Sequence, residues 1–295
     1  MRFATAEVEG VERPVVVDGE EVLVLPSTWP DLVSVIEGGQ PAIDAVRTAL
    51  PGLRRVVMDE IRLVAPIRRF RRDILCTGWN YWDHFYESAG KREGQDVDPP
   101  ARPTFFGKAP DTAIGPYDDI AYDPAVSAKW DYEAELAVVI GWRGRSIPEE
   151  KALDHVWGYT LANDVSQRDL QRAHGGQWLK GKSIDQTMPL GPWIVTPDEL
   201  GDPQDVRLEC LVNGELRQSA STAEMAFPIA KLISELSFGM TLHPGDLILT
   251  GTPSGIGNAR DPQLFLTDGD EVIVRAPAIG ELCNHLTHAP LSYPS

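Results

Sequence analysis

The sequence contains few cysteines, and they form no recognisable pattern. Cys76, Cys210 and Cys283 are the three cysteines among 295 residues. A disulfide framework needs paired cysteines, and an odd number spread this widely excludes one. No CxxC spacing and no neighbouring cysteine and histidine indicate the ligands of a structural zinc ion. We therefore interpret the three cysteines as separate buried thiols.

Long apolar runs are also absent. A helix that spans a membrane needs roughly 18 to 20 consecutive apolar residues, and the sequence contains no such stretch. Residues 1–14 lack the basic segment followed by an apolar segment that marks a secretory signal peptide. We therefore expect a cytoplasmic protein that does not act at a membrane.

Basic residues are outnumbered in this chain. It has 27 Lys and Arg against 44 Asp and Glu, which gives a net charge of −17. Such a charge repels the phosphate backbone, so the composition argues against a nucleic-acid partner. The basic run at residues 68–72 is too short to reverse this, and we interpret it as a solvated linker that pairs with nearby carboxylates. An anionic substrate would need a locally positive or metal-loaded pocket.

The hydropathy pattern divides the chain into two parts. Residues 13–25 predict two β-branched strands around a short turn, and helical patterns follow at residues 29–37 and 42–49. The pattern changes after residue 72. We assign residues 1–66 to a small N-terminal α+β domain, residues 67–72 to a linker, and residues 73–295 to a larger second domain.

Short strands dominate the second part. They are predicted at residues 74–77, 136–140, 208–212, 247–250 and 271–275. Helical patterns are few, chiefly at residues 148–156 and 229–237. The predicted fold class is therefore α+β and mainly β, with a mixed sheet architecture rather than a doubly wound α/β sheet. The polar segment 90–102 is rich in Gly and Pro and is a candidate mobile loop.

Three carboxylates alternate with apolar residues in the segment 131–140. If this segment is a strand, Asp131, Glu133 and Glu135 share one face and Leu136, Val138 and Ile140 the other. Two glutamates at this spacing can converge on a hard cation such as Mg²⁺, which prefers oxygen ligands. An exposed strand face covered with carboxylates explains the pattern equally well.

Asp164 favours the metal interpretation. It ends an apolar strand at residues 158–163, where a third carboxylate could complete the ligand set beside Arg168. The competing interpretation is a helix N-cap, a position at which Asp is favoured.

His84 and Glu87 form a second cluster of polar residues after a predicted strand. In a helix they are i,i+3 neighbours on one face. A carboxylate that orients an imidazole can make it a general base that takes a proton from water. A pair of this kind is more often a surface contact, so the spacing alone leaves both interpretations open.

Two further segments carry weaker signals. Lys182 could hold a substrate carboxylate or stabilise an enolate, although most lysines are simply solvated. The segment 250–257 is rich in Gly but lacks the Walker lysine, so it indicates close backbone approach to a ligand rather than phosphate binding. No Gly-x-Ser-x-Gly elbow is present, which argues against a serine hydrolase.

Taken together, these segments resemble the fumarylacetoacetate hydrolase superfamily, which includes acylpyruvate hydrolases and 2-oxo-acid hydratases. The resemblance covers roughly residues 73–290, with its motifs in a consistent order. The motifs are Gly78-x-Asn80-Tyr81-x-x-His84, Phe106-Gly-Lys108, Asp131-Tyr-x-Glu133-x-Glu135-Leu, Asn163-Asp164-Val-Ser-x-Arg168-Asp169, Lys182-Ser183, Pro189-Leu-Gly-Pro192, Val212-Asn-Gly-Glu and the segment 245–253.

The resemblance implies a mixed β-sandwich roll, a homodimer, and a catalytic role for the second domain. It implies one divalent metal, Mg²⁺ with Mn²⁺ or Ca²⁺ as alternatives, on Glu133, Glu135 and Asp164. It also implies catalytic roles for His84, Glu87 and Lys182. By the same resemblance, the substrate-binding residues are Tyr81, Lys108, Arg168, Gln171 and Thr252.

The function implied is hydrolysis of a carbon–carbon bond in a small 2,4-dioxo acid, such as an acylpyruvate of aromatic catabolism. His84, oriented by Glu87, would activate water, and the segment 87–103 would close over the site. Trp79 and Trp82 replace smaller residues of many relatives and would reshape the pocket. The alternative is decarboxylation of an oxaloacetate-like acid, or hydration or isomerisation of a 2-oxo-alkenoate. A non-catalytic metal-binding protein is a third interpretation.

Overall fold

A computed structural model describes residues 1–91 and 97–292 of the chain. Its N-terminal part contains a small sheet and two helices. Helix α1 starts after Asp31, whose side chain accepts a hydrogen bond from the Ser34 N–H at 2.7 Å, as an N-cap residue does. The elements are β1 (Arg2–Val8), β2 (Val11–Asp18), β3 (Glu21–Val24), α1 (Leu32–Glu37), α2 (Gly39–Ala49), β4 (Arg54–Val57) and β5 (Arg62–Val64).

The second part consists mainly of short strands, as predicted. The strands are β6 (Ile74–Gly78), β7 (Thr104–Lys108), β8 (Ala113–Ile114), β9 (Ile120–Tyr122), β10 (Trp130–Asp131), β11 (Ala134–Ile140), β12 (Gly144–Arg145), β13 (Val156–Asn163), β14 (Ser166–Gln167), β15 (Met188–Val195), β16 (Arg207–Val212), β17 (Glu215–Ser221), β18 (Thr241–Leu242), β19 (Leu247–Leu249), β20 (Glu271–Ala276) and β21 (Gly280–His288). The helices are α3 (Trp82–Glu87), α4 (Arg168–Ala173), α5 (Pro197–Leu200) and α6 (Ile229–Ser237). The helical pattern predicted at residues 148–156 is a 3₁₀ helix, Glu149–His155.

Strands of both parts form one long sheet. Its order is β4-β3-β2-β1-β15-β13-β11-β19-β6-β7, with β5 beside β1 and β8 beside β15. Strands β1 and β15 are antiparallel, with Arg2 opposite Val195 and Phe3 opposite Ile194. A second sheet has the order β17-β16-β20-β21-β9. The division of the chain at residue 66 remains a prediction, since the two parts share a sheet.

Strand β11 is buried on both faces. Leu136 and Val138 pack into an apolar cluster that also contains Leu208 of the second sheet. Ala137 and Val139 pack into another cluster, which includes residues of α1 and α2. An exposed strand face covered with carboxylates, the competing interpretation of this segment, is therefore excluded.

The linker and the predicted loop lie at the edges of this core. In the linker, Arg69 pairs with Asp31 at 2.9 Å, and Arg72 lies 3.3 Å from Asp246, so the basic run does pair with nearby carboxylates. Of the predicted loop 90–102 and the predicted lid 87–103, residues 92–96 lie outside the described residues. No helix within the described ranges is both long enough and apolar enough to cross a membrane.

Candidate active site

Three buried carboxylates meet where β11 begins and β13 ends. Ala134 and Asn163 are paired across these antiparallel strands, which sets Glu133 opposite Asp164. The Asp164 N–H donates to the Glu133 carbonyl at 2.9 Å. One carboxylate oxygen from each of Glu133, Glu135 and Asp164 lies within 4.8 Å of the others. The predicted metal ligands are thus brought together, and Asp164 is not a helix N-cap, because α4 is preceded by Gln167.

Buried cations surround two of the three carboxylates. Lys182 Nζ lies 2.7 Å from Glu133 Oε2 and 2.7 Å from Asp164 Oδ2. Lys108 Nζ lies 2.8 Å from Asp164 Oδ1, and an Arg168 guanidinium nitrogen lies 2.7 Å from Glu133 Oε1. Glu135 instead accepts a hydrogen bond from the Gly251 N–H at 2.6 Å. The Gly-rich segment therefore approaches the site through its backbone.

These different environments shift the pKa values of Glu133 and Glu135 in opposite directions. Burial, together with the charges of Asp164 and Glu133, raises the pKa of Glu135 well above its ordinary value. Burial also opposes ionisation of Glu133, but Lys182 and Arg168 outweigh it and hold the pKa of Glu133 at about 2. Burial would lower the pKa of Lys182, and Asp164 and Glu133 raise it instead. Lys182 therefore carries its charge at neutral pH.

The carboxylate cluster fits a divalent cation. Its oxygens are hard donors, of the kind that Mg²⁺ and Mn²⁺ prefer over nitrogen or sulfur. Burial, and then the neighbouring charges of Asp164 and Glu133, oppose ionisation of Glu135 and raise its pKa. A cation held by Glu133, Glu135 and Asp164 would remove that repulsion.

His84 and Glu87 form a hydrogen-bonded pair on α3, which is helical as the i,i+3 spacing requires. His84 Nδ1 lies 2.8 Å from Glu87 Oε1. Glu87 is held in turn by the Gly255 N–H, which donates to its Oε2 at 2.8 Å. A neutral imidazole that donates from Nδ1 keeps Nε2 as an acceptor. His84 is buried, so this pair is not a surface contact.

A small cavity of about 40 Å³ has both His84 and Glu133 in its wall, whereas Glu87, Glu135 and Asp164 do not line it. Its wall contains six of the predicted site residues, namely His84, Glu133, Arg168, Gln171, Lys182 and Thr252. The remainder of its wall is Thr77, Gly78, Trp79, Ser88, Phe106, Arg172, Trp178 and Ile256. Lys108 lies behind Asp164 and does not line the cavity. Tyr81 does not line it either, and Trp82 packs on Phe227 instead.

Asp131 positions Arg168 rather than joining the metal cluster. Arg168 Nε lies 2.8 Å from Asp131 Oδ2, and Asp131 also accepts hydrogen bonds from the N–H groups of Gly257 and Asn258 at 2.7 and 3.0 Å. Arg168 donates further to the Gln171 side chain at 3.2 Å. The sequence groups Asp131 with Glu133 by spacing, and in the fold both contact Arg168, but only Glu133 belongs to the carboxylate cluster.

Thr252 is held by hydrogen bonds within the protein. Its hydroxyl donates to the Ala134 carbonyl at 3.1 Å and accepts from the Gln218 side chain at 2.8 Å. Gln218 also donates to the Pro253 carbonyl at 2.8 Å and accepts from the Ala134 N–H at 3.0 Å. Gln218 therefore fastens the Gly-rich segment to the start of β11, a role for which the sequence around it gives no signal.

Comparison with known proteins identifies relatives along most of the chain. The family model described as Fumarylacetoacetate (FAA) hydrolase C-terminal matches residues 73–287. The oxaloacetate tautomerase YisK of Bacillus subtilis is 44% identical over 229 residues, which are 78% of this chain and 74% of YisK. The mitochondrial oxaloacetate tautomerase FAHD2B of Bos taurus is 43% identical over 265 residues, which are 88% of this chain and 80% of that protein.

Solved structures share the fold as well. A fumarylacetoacetate hydrolase from Exiguobacterium antarcticum matches with a TM-score of 0.84 at 38% identity, over 98% of this chain and 100% of that one. A maleylpyruvate hydrolase from Sphingobium sp. SYK-6, in complex with manganese(II) and pyruvate, matches with a TM-score of 0.78 at 29% identity, over 98% and 100% of the two chains. The predicted fold class is confirmed.

Proposed function

The chain belongs to the fumarylacetoacetate hydrolase family, and we propose that it is a metal-dependent enzyme that moves a proton next to the keto group of a small 2-oxo acid. The first candidate reaction is the interconversion of the enol and keto forms of oxaloacetate. Two relatives above 40% identity are named for this reaction. The sequence analysis predicts carbon–carbon hydrolysis first. This proposal is closer to its alternative, decarboxylation of an oxaloacetate-like acid or hydration or isomerisation of a 2-oxo-alkenoate, although that alternative does not include the keto–enol conversion of oxaloacetate.

The observation that carries the proposal is the position of His84 between Glu87 and the cavity. Its Nδ1 is occupied by Glu87, which leaves Nε2 to exchange a proton with a bound ligand. In the enol-to-keto direction, the enol O–H loses a proton and the adjacent carbon gains one, so no water or other reactant is consumed. His84 can carry that proton, and Glu87 stabilises the imidazolium while it does so.

Lys182 and Arg168 would stabilise the negative charge that the substrate oxygen carries during the transfer. Both are nearly fully buried, so their charges act in a medium of low dielectric constant. A divalent cation on Glu133, Glu135 and Asp164 would supply Lewis-acid polarisation of the keto group. Mg²⁺ is our proposed metal, and the manganese complex of a structural relative supports Mn²⁺ as an alternative.

Carbon–carbon hydrolysis is the second candidate. The same dyad could activate water, and one structural relative is a maleylpyruvate hydrolase. It remains a proposal, as do Glu87, Tyr81, Lys108, Gln171 and Thr252 as site residues. A homodimer, a cytoplasmic location and a role in aromatic catabolism also remain proposals.

The test is to follow the enol absorbance of oxaloacetate with and without the protein, in Mg²⁺ and then in EDTA. Pyruvate and CO₂ are measured in the same samples, and acylpyruvates are assayed in parallel. Mg²⁺-dependent loss of the enol without pyruvate supports the proposal. Pyruvate from acylpyruvates, with no effect on the enol, would instead favour hydrolysis.

The matched variants are His84→Gln and His285→Gln. His285 lies on the surface 3.6 Å from Glu271, so it forms a second histidine–glutamate pair, which does not line the cavity. We expect His84→Gln to lose about 10²-fold or more in rate, as removal of a general base does, and His285→Gln to keep the wild-type rate. Equal rates for the two variants would remove His84 from the mechanism.

A further inference from the structure

Arg172 stands at the junction of two cavities. It lines the small cavity that also has His84 and Glu133 in its wall. It also lines a larger outer cavity of about 570 Å³, which shares Trp79, Phe106 and Trp178 with the inner one. We infer that Arg172 binds the distal carboxylate of the substrate and so selects dicarboxylic over monocarboxylic 2-oxo acids. This inference rests on the proposed function, because it assumes a 2-oxo acid in the inner cavity.

The first argument is the charge balance of the buried cluster. Four carboxylates belong to it, those of Asp131, Glu133, Glu135 and Asp164, against three cations, Lys108, Arg168 and Lys182. A divalent cation would turn the single excess negative charge into a single excess positive one. One substrate carboxylate neutralises that excess, so a second carboxylate needs another cation.

Arg172 is the cation in the right place. The other cations on the cavity wall, Arg168 and Lys182, are each held between two buried carboxylates. Arg172 follows Arg168 by four residues on α4, so the two side chains emerge on the same side of that helix. It is half-buried and already makes contacts of its own. A substrate carboxylate would add to those contacts or replace them.

The second argument is the aromatic wall at the same junction. Trp178 contacts Trp79 and Phe106 edge to face, with ring centroids 4.8 and 5.2 Å apart. Lys182 Nζ lies 5.2 Å from the centre of the Phe106 ring, so this wall reaches the reacting end of the cavity. Gly78 fits beneath Trp178 because an added Cβ would lie 2.3 Å from its ring. Arg172 lines both cavities beside this wall. A short substrate whose reacting end lies at Lys182 would therefore place its distal end beside Arg172.

The experiment compares oxaloacetate with 2-oxobutyrate, which has a methyl group in place of the distal carboxylate. Binding of each to the Mg²⁺-loaded protein is measured by calorimetry, and tautomerisation of oxaloacetate is measured separately. The variants are Arg172→Met, Arg172→Lys and the control Arg145→Met, which removes the same charge from an exposed position. Melting temperatures show that each variant is folded.

We expect Arg172→Met to weaken oxaloacetate binding about tenfold or more, as loss of a charge-assisted hydrogen bond does, and to leave 2-oxobutyrate within about twofold. Arg172→Lys should recover part of the preference, and Arg145→Met should keep all of it. A preference that survives in Arg172→Met, or its absence from the wild type, overturns the inference. A third result is that the wild-type protein prefers oxaloacetate over 2-oxobutyrate, and loses this preference in Arg172→Met, without tautomerising oxaloacetate. That result would refute only the proposed reaction and would leave the inference about Arg172 intact.

Discussion

Glu135 differs from its two neighbouring carboxylates in what surrounds it. Glu133 and Asp164 each contact buried cations, whereas Glu135 accepts a backbone N–H from Gly251. Burial and the two neighbouring charges consequently favour its protonated form. The metal-free protein should therefore reveal this residue through the pH dependence of its stability.

We predict that stability in EDTA falls as the pH rises above the ordinary glutamate pKa of 4.5. The folded protein keeps the proton on Glu135 while the unfolded chain releases it, so the unfolded state binds fewer protons. The stabilisation is fully present below 4.5 and is lost as the pH rises towards the raised pKa of the folded state. Each unit of pKa difference corresponds to about 1.4 kcal/mol. Urea denaturation from about pH 5 to pH 8 measures the slope.

Two variants and one addition isolate the effect. Glu135→Gln removes the titrating group and should flatten the slope relative to the wild type, whereas Glu150→Gln, at an exposed position, should not. Saturating Mg²⁺ should reverse the trend, because metal binding is tighter once Glu135 is ionised. The same slope in wild type and Glu135→Gln would mean that Glu135 is already ionised in the metal-free protein.

Individual residues could be predicted where the sequence carries both a pattern and a resemblance. The carboxylates and the histidine–glutamate pair meet as predicted, because pairing of β11 with β13 and one turn of α3 fix their spacing. Gln218, Arg172 and Trp178 could not be predicted. They reach the site from a distant strand and from the region after β14, and short-range patterns contain no information about such contacts.

Helix α4 and the 3₁₀ turn that follows it fix the positions of three cavity residues relative to one another. The 3₁₀ turn Leu179–Gly181 precedes Lys182, and α4 carries Arg168 and Gln171. The turn passes so close to α4 that a Cβ added at Gly181 would lie 2.1 Å from the Gln171 nitrogen and 2.3 Å from its Cα. The neighbouring atoms belong to the backbone, so no side-chain rotation can relieve the contact.

We predict that Gly181→Ala separates the turn from α4 and lowers both stability and activity. The loss of stability should be roughly 1–3 kcal/mol, as for overpacking elsewhere in protein cores, and turnover should fall because Lys182 moves with the turn. Gly52→Ala is the control, since an added Cβ there meets nothing within 4 Å. Urea denaturation and the enol assay measure the two effects. Identical behaviour of the two variants would show that the contact at Gly181 is easily relieved.

The sequence predicts whether a segment is a strand or a helix better than it predicts what packs against that segment. The hairpin at β2 and β3, the strand β11 and the helix α6 all form where the pattern places them. From the sequence alone, the face of the segment 131–140 that carries Glu133 and Glu135 could equally have been exposed to solvent. It is buried because α1 and α2 pack on one face of the sheet and a second sheet packs on the other, and both are distant from β11 in the sequence.

At the level of the whole molecule, the N-terminal residues complete the sheet that carries the site. Strand β1 pairs with β15 and covers an edge that would otherwise present unpaired backbone groups. Phe3 is fully buried, and its ring centre lies 4.9 Å from that of Trp157 on β13. The Thr5 hydroxyl donates to the Pro66 carbonyl at 2.8 Å, which joins β1 to the residue that precedes the linker.

We therefore predict that residues 73–295 do not form a stable protein without residues 1–66. Deletion would expose the edge of β15 and the apolar residues that α1 and α2 cover, and exposed edges of this kind aggregate. The shortened chain should be recovered mainly as aggregate, or should unfold without a cooperative transition in circular dichroism. A milder version of the same change, Phe3→Ala, should cost about 3–5 kcal/mol, as for other buried phenylalanines.

The shortened chain could fail because it lacks the surface that residues 1–66 provide, or because it cannot fold at all. Supplying residues 1–72 as a separate polypeptide distinguishes these two causes. If the pairing of β1 with β15 is what the deletion removes, co-expression of the two pieces should restore a soluble complex and its enol-converting activity. Because the catalytic residues all lie after residue 73, that activity would also show that the N-terminal part supports the site without contributing to its chemistry. A shortened chain that is soluble, cooperative and active alone would instead establish residues 73–295 as an independent domain, and β1 as a dispensable edge strand.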